Sequence, residues 1–293
     1  MHFIQIENMN LSQIVIGTDG YGERIDNKTA SQILEKYIEL GGNIIDTARM
    51  YTGGKSESIV GEFINNNNLR DKVYISTKCS HPPIENMSQH RLTLKDIEYD
   101  IDKSLIALNT DYIALLWLHR DDISVNVEPI IDALNIMVEK GKIKHFGASY
   151  WTYNRIKSAN DYAIKSGVKG FCASQILYNM ATCNKMWDNT LVVCEGEEKQ
   201  KYENNPFPVF AFCSQAKGFF EKYHTDSLSQ KASDRYLNEK SVETYKKIAK
   251  FSKNNNTTLS YATLNMLCSN SKFPVLPIIG PSNVNQLLSS FNK

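Results

Sequence analysis

Short apolar runs of strand length recur along the chain, at residues 13–17, 43–47, 73–78, 112–119, 144–149, 171–177, 208–214 and 274–279. Most lack the apolar/polar alternation of a half-exposed strand, so they predict strands buried on both faces, as in a parallel sheet covered by helices. Between them lie segments with helical period. Leu94, Ile97, Ile101, Leu105 and Leu108 fall at steps of three and four on one face, while Lys95, Asp96, Asp102 and Lys103 point elsewhere. Residues 29–40 behave likewise, with Asp26 or Asn27 as the N-cap and Gly41-Gly42 as the stop, and residues 127–140 end at Gly141. Strand and helix alternating eight times predict an α/β fold, a closed (β/α)8 TIM barrel rather than an open sheet. Residues 3–6 and 11–12 predict a short N-terminal β-hairpin closing the barrel bottom. No linker interrupts the series, so residues 1–293 read as a single barrel domain; the asparagine runs at 65–68 and 254–256 are loop tips or frayed helix ends, and the charged stretch 195–205 is a solvated helix and loop.

Composition narrows the function classes. A length of 293 residues suits two modest domains or one barrel, so the periodicity decides between them. Lys+Arg 33 against Asp+Glu 32 leaves a formal charge of +1, which provides no basic field for nucleic acid. No charged start precedes an apolar leader and no long apolar span follows, which predicts a cytoplasmic protein with no membrane partner. The six cysteines, at 79, 172, 183, 194, 213 and 268, form no CxxC pair and read as small reduced hydrophobes. No His/Cys/Asp cluster has metal-ligand spacing, so no metal is expected. Trp117 and Trp187 read as packing residues.

Barrels of this kind gather function at the carboxyl ends of their strands. Asp46 ends the second run with Tyr51 just beyond it, Lys78 ends the third, and His119 ends the fourth. Taken singly, each has an unremarkable structural reading as cap, packed ring, surface charge or core histidine. Together they make chemical sense. A lysine closing an apolar strand is costly to desolvate unless paired, and Asp46 on the neighbouring strand is its natural partner. A tyrosine with a pKa near ~10 is a poor acid at neutral pH, and a nearby ammonium is expected to draw it down. An aldolase using Lys78 as a Schiff base would use the same lysine differently.

Gly42-Asn43-Ile44-Ile45-Asp46-Thr47-Ala48, followed by Tyr51, Ser56-Glu57 and Gly61, resembles the G-x-N-x-x-D-T-A-x-x-Y-x-x-S-E-x-x-x-G signature of the aldo-keto reductases, with two additional residues between Tyr and Ser. Ile75 to Lys78 resembles that family's third-strand lysine, and Leu116 to Asp121 its fourth-strand histidine. Gly147-Ala148-Ser149-Tyr150-Trp151 resembles its G-[AV]-S-N-[FW] motif, and the segment 278–286 its cofactor loop. The similarity runs in order through nearly the whole chain.

The resemblance implies an NAD(P)H-dependent oxidoreductase that reduces aldehydes or ketones to alcohols by direct hydride transfer. Tyr51 would be the general acid, tuned by Lys78 and Asp46, and His119 would orient and polarise the carbonyl. Cofactor contacts map onto Gly17, Thr18 and Asp46, onto Ser149, Tyr150 and Gln175 at the carboxamide, and onto Phe212 as the stacking ring. Cys213, Ser214, Gln215, Lys217 and Gly218 would follow the pyrophosphate, and Gly280, Ser282, Asn283 and Gln286 the adenosine end. Tyr150 stands where the family pattern has Asn, and Phe212 where Tyr is commoner. Residues 279–283 lack the Lys or Arg that usually meets a 2′-phosphate, so NADP is the cofactor the resemblance implies, with NAD open. Tyr21, Trp151 and Phe219 are candidate pocket liners. A rival of another class is a cofactor-binding redox sensor or regulatory subunit on the same barrel, like the potassium-channel β subunits. Substrate identity and oligomeric state are not legible.

Overall fold

The computed structural model describes residues 1–184, 188 and 190–292; Trp187, expected to pack, lies outside them. Two antiparallel strands, β1 (Phe3–Ile6) and β2 (Met9–Ser12), precede eight parallel strands: β3 (Val15–Gly17), β4 (Ile44–Asp46), β5 (Tyr74–Cys79), β6 (Ile113–Leu118), β7 (Ile143–Ser149), β8 (Ser174–Leu177), β9 (Val209–Phe212) and β10 (Val275–Ile279). They pair in chain order and β10 closes onto β3, so the predicted barrel forms, each strand lying inside or within one residue of its apolar run. Among the described residues, single α-helices cover the first six crossovers: α1 (Asn27–Glu39), α2 (Lys55–Asn66), α3 (Leu94–Leu108), α4 (Val127–Glu139), α5 (Tyr153–Ser166) and α6 (Gly196–Asn204). The connection from β9 to β10 is larger than a single repeat and holds α7 (Phe219–His224), α8 (Gln230–Tyr236), α9 (Glu239–Asn255) and α10 (Leu259–Ser269), with α11 (Val284–Ser290) after the last strand. Asp26, not Asn27, caps α1, its carboxylate accepting from the Thr29 amide. Among the described residues no helix is long and apolar enough to cross a membrane.

Two apolar layers hold the cylinder. Ile16, Ile45, Ile75, Leu116, Leu118 and Phe146 face outward into the helices, while Val15, Ile44, Leu115, Trp117, Phe210 and Leu276 fill the lumen together with Ile6, Met9 and Leu11 of the hairpin. The hairpin therefore stoppers the amino-terminal end. Asn43 ties it there, accepting from the Ser12 amide at 2.7 Å and donating to Asn10 O at 2.9 Å. The Trp117 indole crosses the lumen below the strand ends, with its ring 4.8 Å from that of Phe210. It fits only because residue 147 is glycine: a Cβ there would stand 2.3 Å from the indole and 2.7 Å from Ala173 O. Gly147→Ala is therefore expected to lower stability by about 1–3 kcal/mol through overpacking, read as a shift of the urea midpoint at unchanged slope.

Candidate active site

Alternation along β4 and β5 sends Asp46, Ser76 and Lys78 inward at the carboxyl end of the barrel, while Ile45, Ile75 and Thr77 face the helices. The Lys78 Nζ donates to Asp46 Oδ2 at 2.5 Å and to Thr47 O at 2.7 Å. The second Asp46 oxygen accepts from Ser76 Oγ at 2.6 Å and from Gln175 Nε2 at 3.2 Å. Both groups are buried, and these partners offset part of the cost of taking them out of water. An ammonium donating to two acceptors is unlike the free amine a Schiff base requires.

Tyr51 reaches the pair from the turn after β4. Its ring centroid lies 4.9 Å from Lys78 Nζ and 6.0 Å from the His119 ring, which follows β6 directly. The turn carries the two residues by which the signature is lengthened. Thr52, Gly53 and Gly54 all adopt positive φ, at 49°, 65° and 90°. Two of the three are glycines, which take this conformation without steric cost. The rest of the signature anchors this turn. Ser56 Oγ donates to Thr18 O at 2.8 Å, and the buried Glu57 accepts from Arg49 at 2.6 Å and Thr77 Oγ1 at 2.6 Å. Gly61 lets α2 approach α3, since a Cβ there would lie 2.5 Å from Leu108 O.

Electrostatics at the mouth follow burial. Desolvation pushes the Tyr51 phenol well above its ordinary value, and the Asp46 carboxylate adds to it. The expectation that Lys78 draws this phenol down is thus corrected: burial raises it, and Asp46 acts in the same direction. Lys78 itself is lowered by desolvation, against the attraction of Asp46. The His119 imidazole is pushed well below its usual range, first by burial and then by Lys78, His81 and Arg120, so it is neutral, and its Nδ1 is buried without a partner.

The remaining expected positions divide. Ser149 Oγ donates to Gln175 O at 3.0 Å, and Ser149 and Gln175 sit side by side in paired strands at the mouth. Thr18, next to Gly17, is fully buried, its hydroxyl held against Ser56 and Asp46 O. The backbone after Phe212 turns to positive φ at Cys213, Ala216, Lys217 and Gly218, while Ser214 Oγ donates to Ile278 O at 2.7 Å and Gln215 Nε2 to Ser290 Oγ at 3.2 Å. Asn283 caps α11 and Gln286 folds back on the Ser282 amide at 2.8 Å, just beyond Gly280. Tyr150 stacks on Phe212 at 5.1 Å and 22°. The suggested liners are core residues instead: Tyr21 packs under α1 and α2, Trp151 against Phe171, and Phe219 against Phe220 and Tyr236. Sequence reasoning missed Ser76, His81, whose ring lies 4.8 Å from His119, and Arg120, whose guanidinium covers Tyr150 at 4.0 Å. Ser76 alone had a signal, being two residues before Lys78 on an inward face. Among the described residues no group of three metal-ligating side chains exists.

Fold and site together define a TIM barrel whose carboxyl-end mouth holds a buried carboxylate–ammonium pair against a phenol and a neutral imidazole. The chain belongs to the aldo/keto reductase family, whose model matches residues 13–293. It is similar to an aryl-alcohol dehydrogenase of Pestalotiopsis microspora, at 33% identity over 165 residues covering 55% of this chain and 43% of that protein. A norsolorinic acid reductase of Emericella nidulans is 30% identical over 190 residues, 58% of this chain and 47% of its own. A probable aryl-alcohol dehydrogenase of Saccharomyces cerevisiae is 30% identical over 166 residues, 53% of this chain and 50% of its own. The matched region spans about half the length of these curated relatives.

Proposed function

We propose that the chain reduces aldehydes or ketones to alcohols with a nicotinamide dinucleotide, Tyr51 giving the proton that the carbonyl oxygen takes up. The observation that carries this reading is the buried Asp46–Lys78 pair lying against the Tyr51 ring. The phenol is protonated because burial and Asp46 hold its pKa high, which is the form a general acid needs. As the proton leaves, the ammonium 4.9 Å from the ring centroid stabilises the phenolate that forms. His119, neutral yet still able to donate one N–H, would orient the carbonyl oxygen beside the phenol.

The residues present fit the dinucleotide. Ser149 and Gln175 are cross-strand neighbours in β7 and β8, and the positive φ at Cys213, Ala216, Lys217 and Gly218 curls the backbone there as anion-binding nests do. When bound, the nicotinamide supplies a hydride to the carbonyl carbon. Ser149 and Gln175 would hold its carboxamide, Phe212 a face of its ring, Cys213, Ser214, Gln215, Lys217 and Gly218 the pyrophosphate beside Gly17 and Thr18, and Gly280, Ser282, Asn283 and Gln286 the adenosine end. NADP is the proposed cofactor; NAD is the second reading, because residues 279–283 carry no cation. The proposed setting is the cytoplasm, where the six cysteines would remain reduced. The test is titration with NADPH and NADH, followed by NADPH consumption with a panel of aldehydes. Tighter NADPH binding with turnover is expected. Tighter binding of NADH would replace NADP by NAD, and cofactor binding without any turnover would replace the reductase by a redox sensor.

A further inference from the structure

The His119 imidazole is ringed by three aromatic neighbours. Tyr51 lies at 6.0 Å and 81°, His81 at 4.8 Å and 70°, and Tyr150 at 6.3 Å and 51°. All three separations fall within aromatic contact range, so a carbonyl presented to His119 and Tyr51 enters a narrow slot. Tyr150 is the wall with the most restraint. Its ring stacks on Phe212 at 5.1 Å, and the Arg120 guanidinium lies over it at 4.0 Å from the centroid. Arg120 is itself held by Asp188 at 2.9 Å and by Thr190 Oγ1 at 2.6 Å. The Tyr150 backbone has φ +63°, a region that bulky residues avoid and that persists only when the surroundings over-determine it.

With Phe212 and Arg120 both against its ring, Tyr150 is held in place and kept from swinging aside. We propose that Tyr150 is a specificity-determining residue that restricts the site to flat, narrow carbonyl compounds, aryl aldehydes above all, and rejects ketones bearing a bulky group on each side of the carbonyl. The proposal rests on the carbonyl lying between Tyr51 and His119. An aldehyde has only a hydrogen on one side of its carbonyl carbon, whereas a diaryl ketone has a second ring that must pass a clamped wall. His81, whose Nδ1 must donate to Pro82 O at 2.6 Å because a carbonyl only accepts, closes the slot from another side.

The test compares benzaldehyde with benzophenone in the full chain and in Tyr150→Asn and Tyr150→Phe. Asparagine tolerates the left-handed backbone, so the small variant is compatible with the fold. The unaltered chain is expected to favour benzaldehyde in kcat/KM by at least ~10²-fold; Tyr150→Asn should cut that ratio at least ~10-fold by admitting the ketone, and Tyr150→Phe should keep it within about twofold. A ratio unchanged in Tyr150→Asn, or both substrates falling by one common factor, would overturn the proposal. Dissociation constants of the two compounds, measured by calorimetry in a Tyr51→Phe background, read the wall without turnover. Benzophenone binding only when Tyr150→Asn is added supports the wall even if no reduction occurs, and equal binding with and without that change overturns it even if reduction does.

Discussion

Replacing Tyr51 by phenylalanine is expected to lower kcat for carbonyl reduction by at least ~10²-fold, the usual worth of a positioned general acid, while cofactor affinity changes little. The substitution removes one oxygen and keeps the ring that lies against Lys78 and His119. A loss of turnover would therefore report the proton and not the packing. Near-normal turnover would reject the mechanism. The pH dependence adds a second reading of the same groups. The acid form of a phenol held above its ordinary value is lost only as pH rises past that raised value, and His119, depressed well below its ordinary value, stays neutral across the same span. The kcat/KM of the unaltered protein should thus be flat through neutral pH, with no limb belonging to histidine.

Lys78→Met is expected to cost about 3–5 kcal/mol of stability as well as activity, because it strands the buried Asp46 carboxylate. Ser76 and Gln175 would still donate to one oxygen of Asp46, but the other would lose its cation. The pH dependence of this loss has a definite sign. A carboxyl left buried without its ammonium has a folded-state pKa above its unfolded value, so the folded state holds the proton more tightly. Its stability is then retained below the ordinary carboxylate range, near pH ~4, and is lost as pH rises through the folded value. The gap in melting temperature between variant and parent should narrow as the solution is acidified. A gap independent of pH would mean that Asp46 is not carrying a buried charge.

The barrel was legible because parallel strands buried on both faces leave unbroken apolar runs, and no competing pattern in the chain has eight of them. The hairpin was legible only as two short apolar segments, at residues 3–6 and 11–12, ahead of the first barrel strand. What escaped prediction depends on which face or which loop meets another far along the chain. Tyr21, Trp151 and Phe219 are aromatic residues near strand ends, yet all three turn into the helical layers, and nothing in their local sequence distinguishes a wall of a cleft from a wedge between helices. His81 and Arg120 sit one strand apart on loops, and only the closed cylinder brings both to His119 or Tyr150. The effect of Lys78 on Tyr51 was inferred from charge alone, although burial is the larger influence and cannot be read from a motif. The connection after β9 departs from the one-helix repeat, and its length of 62 residues between Phe212 and Val275 was the available clue.

The stopper formed by β1 and β2, with Trp117 lying across the interior, makes the cylinder blind. A vessel with one door imposes a queue: whatever settles deepest must arrive first and depart last. The order of entry and exit would then be dictated by depth in a cul-de-sac, independently of how tightly each visitor is held.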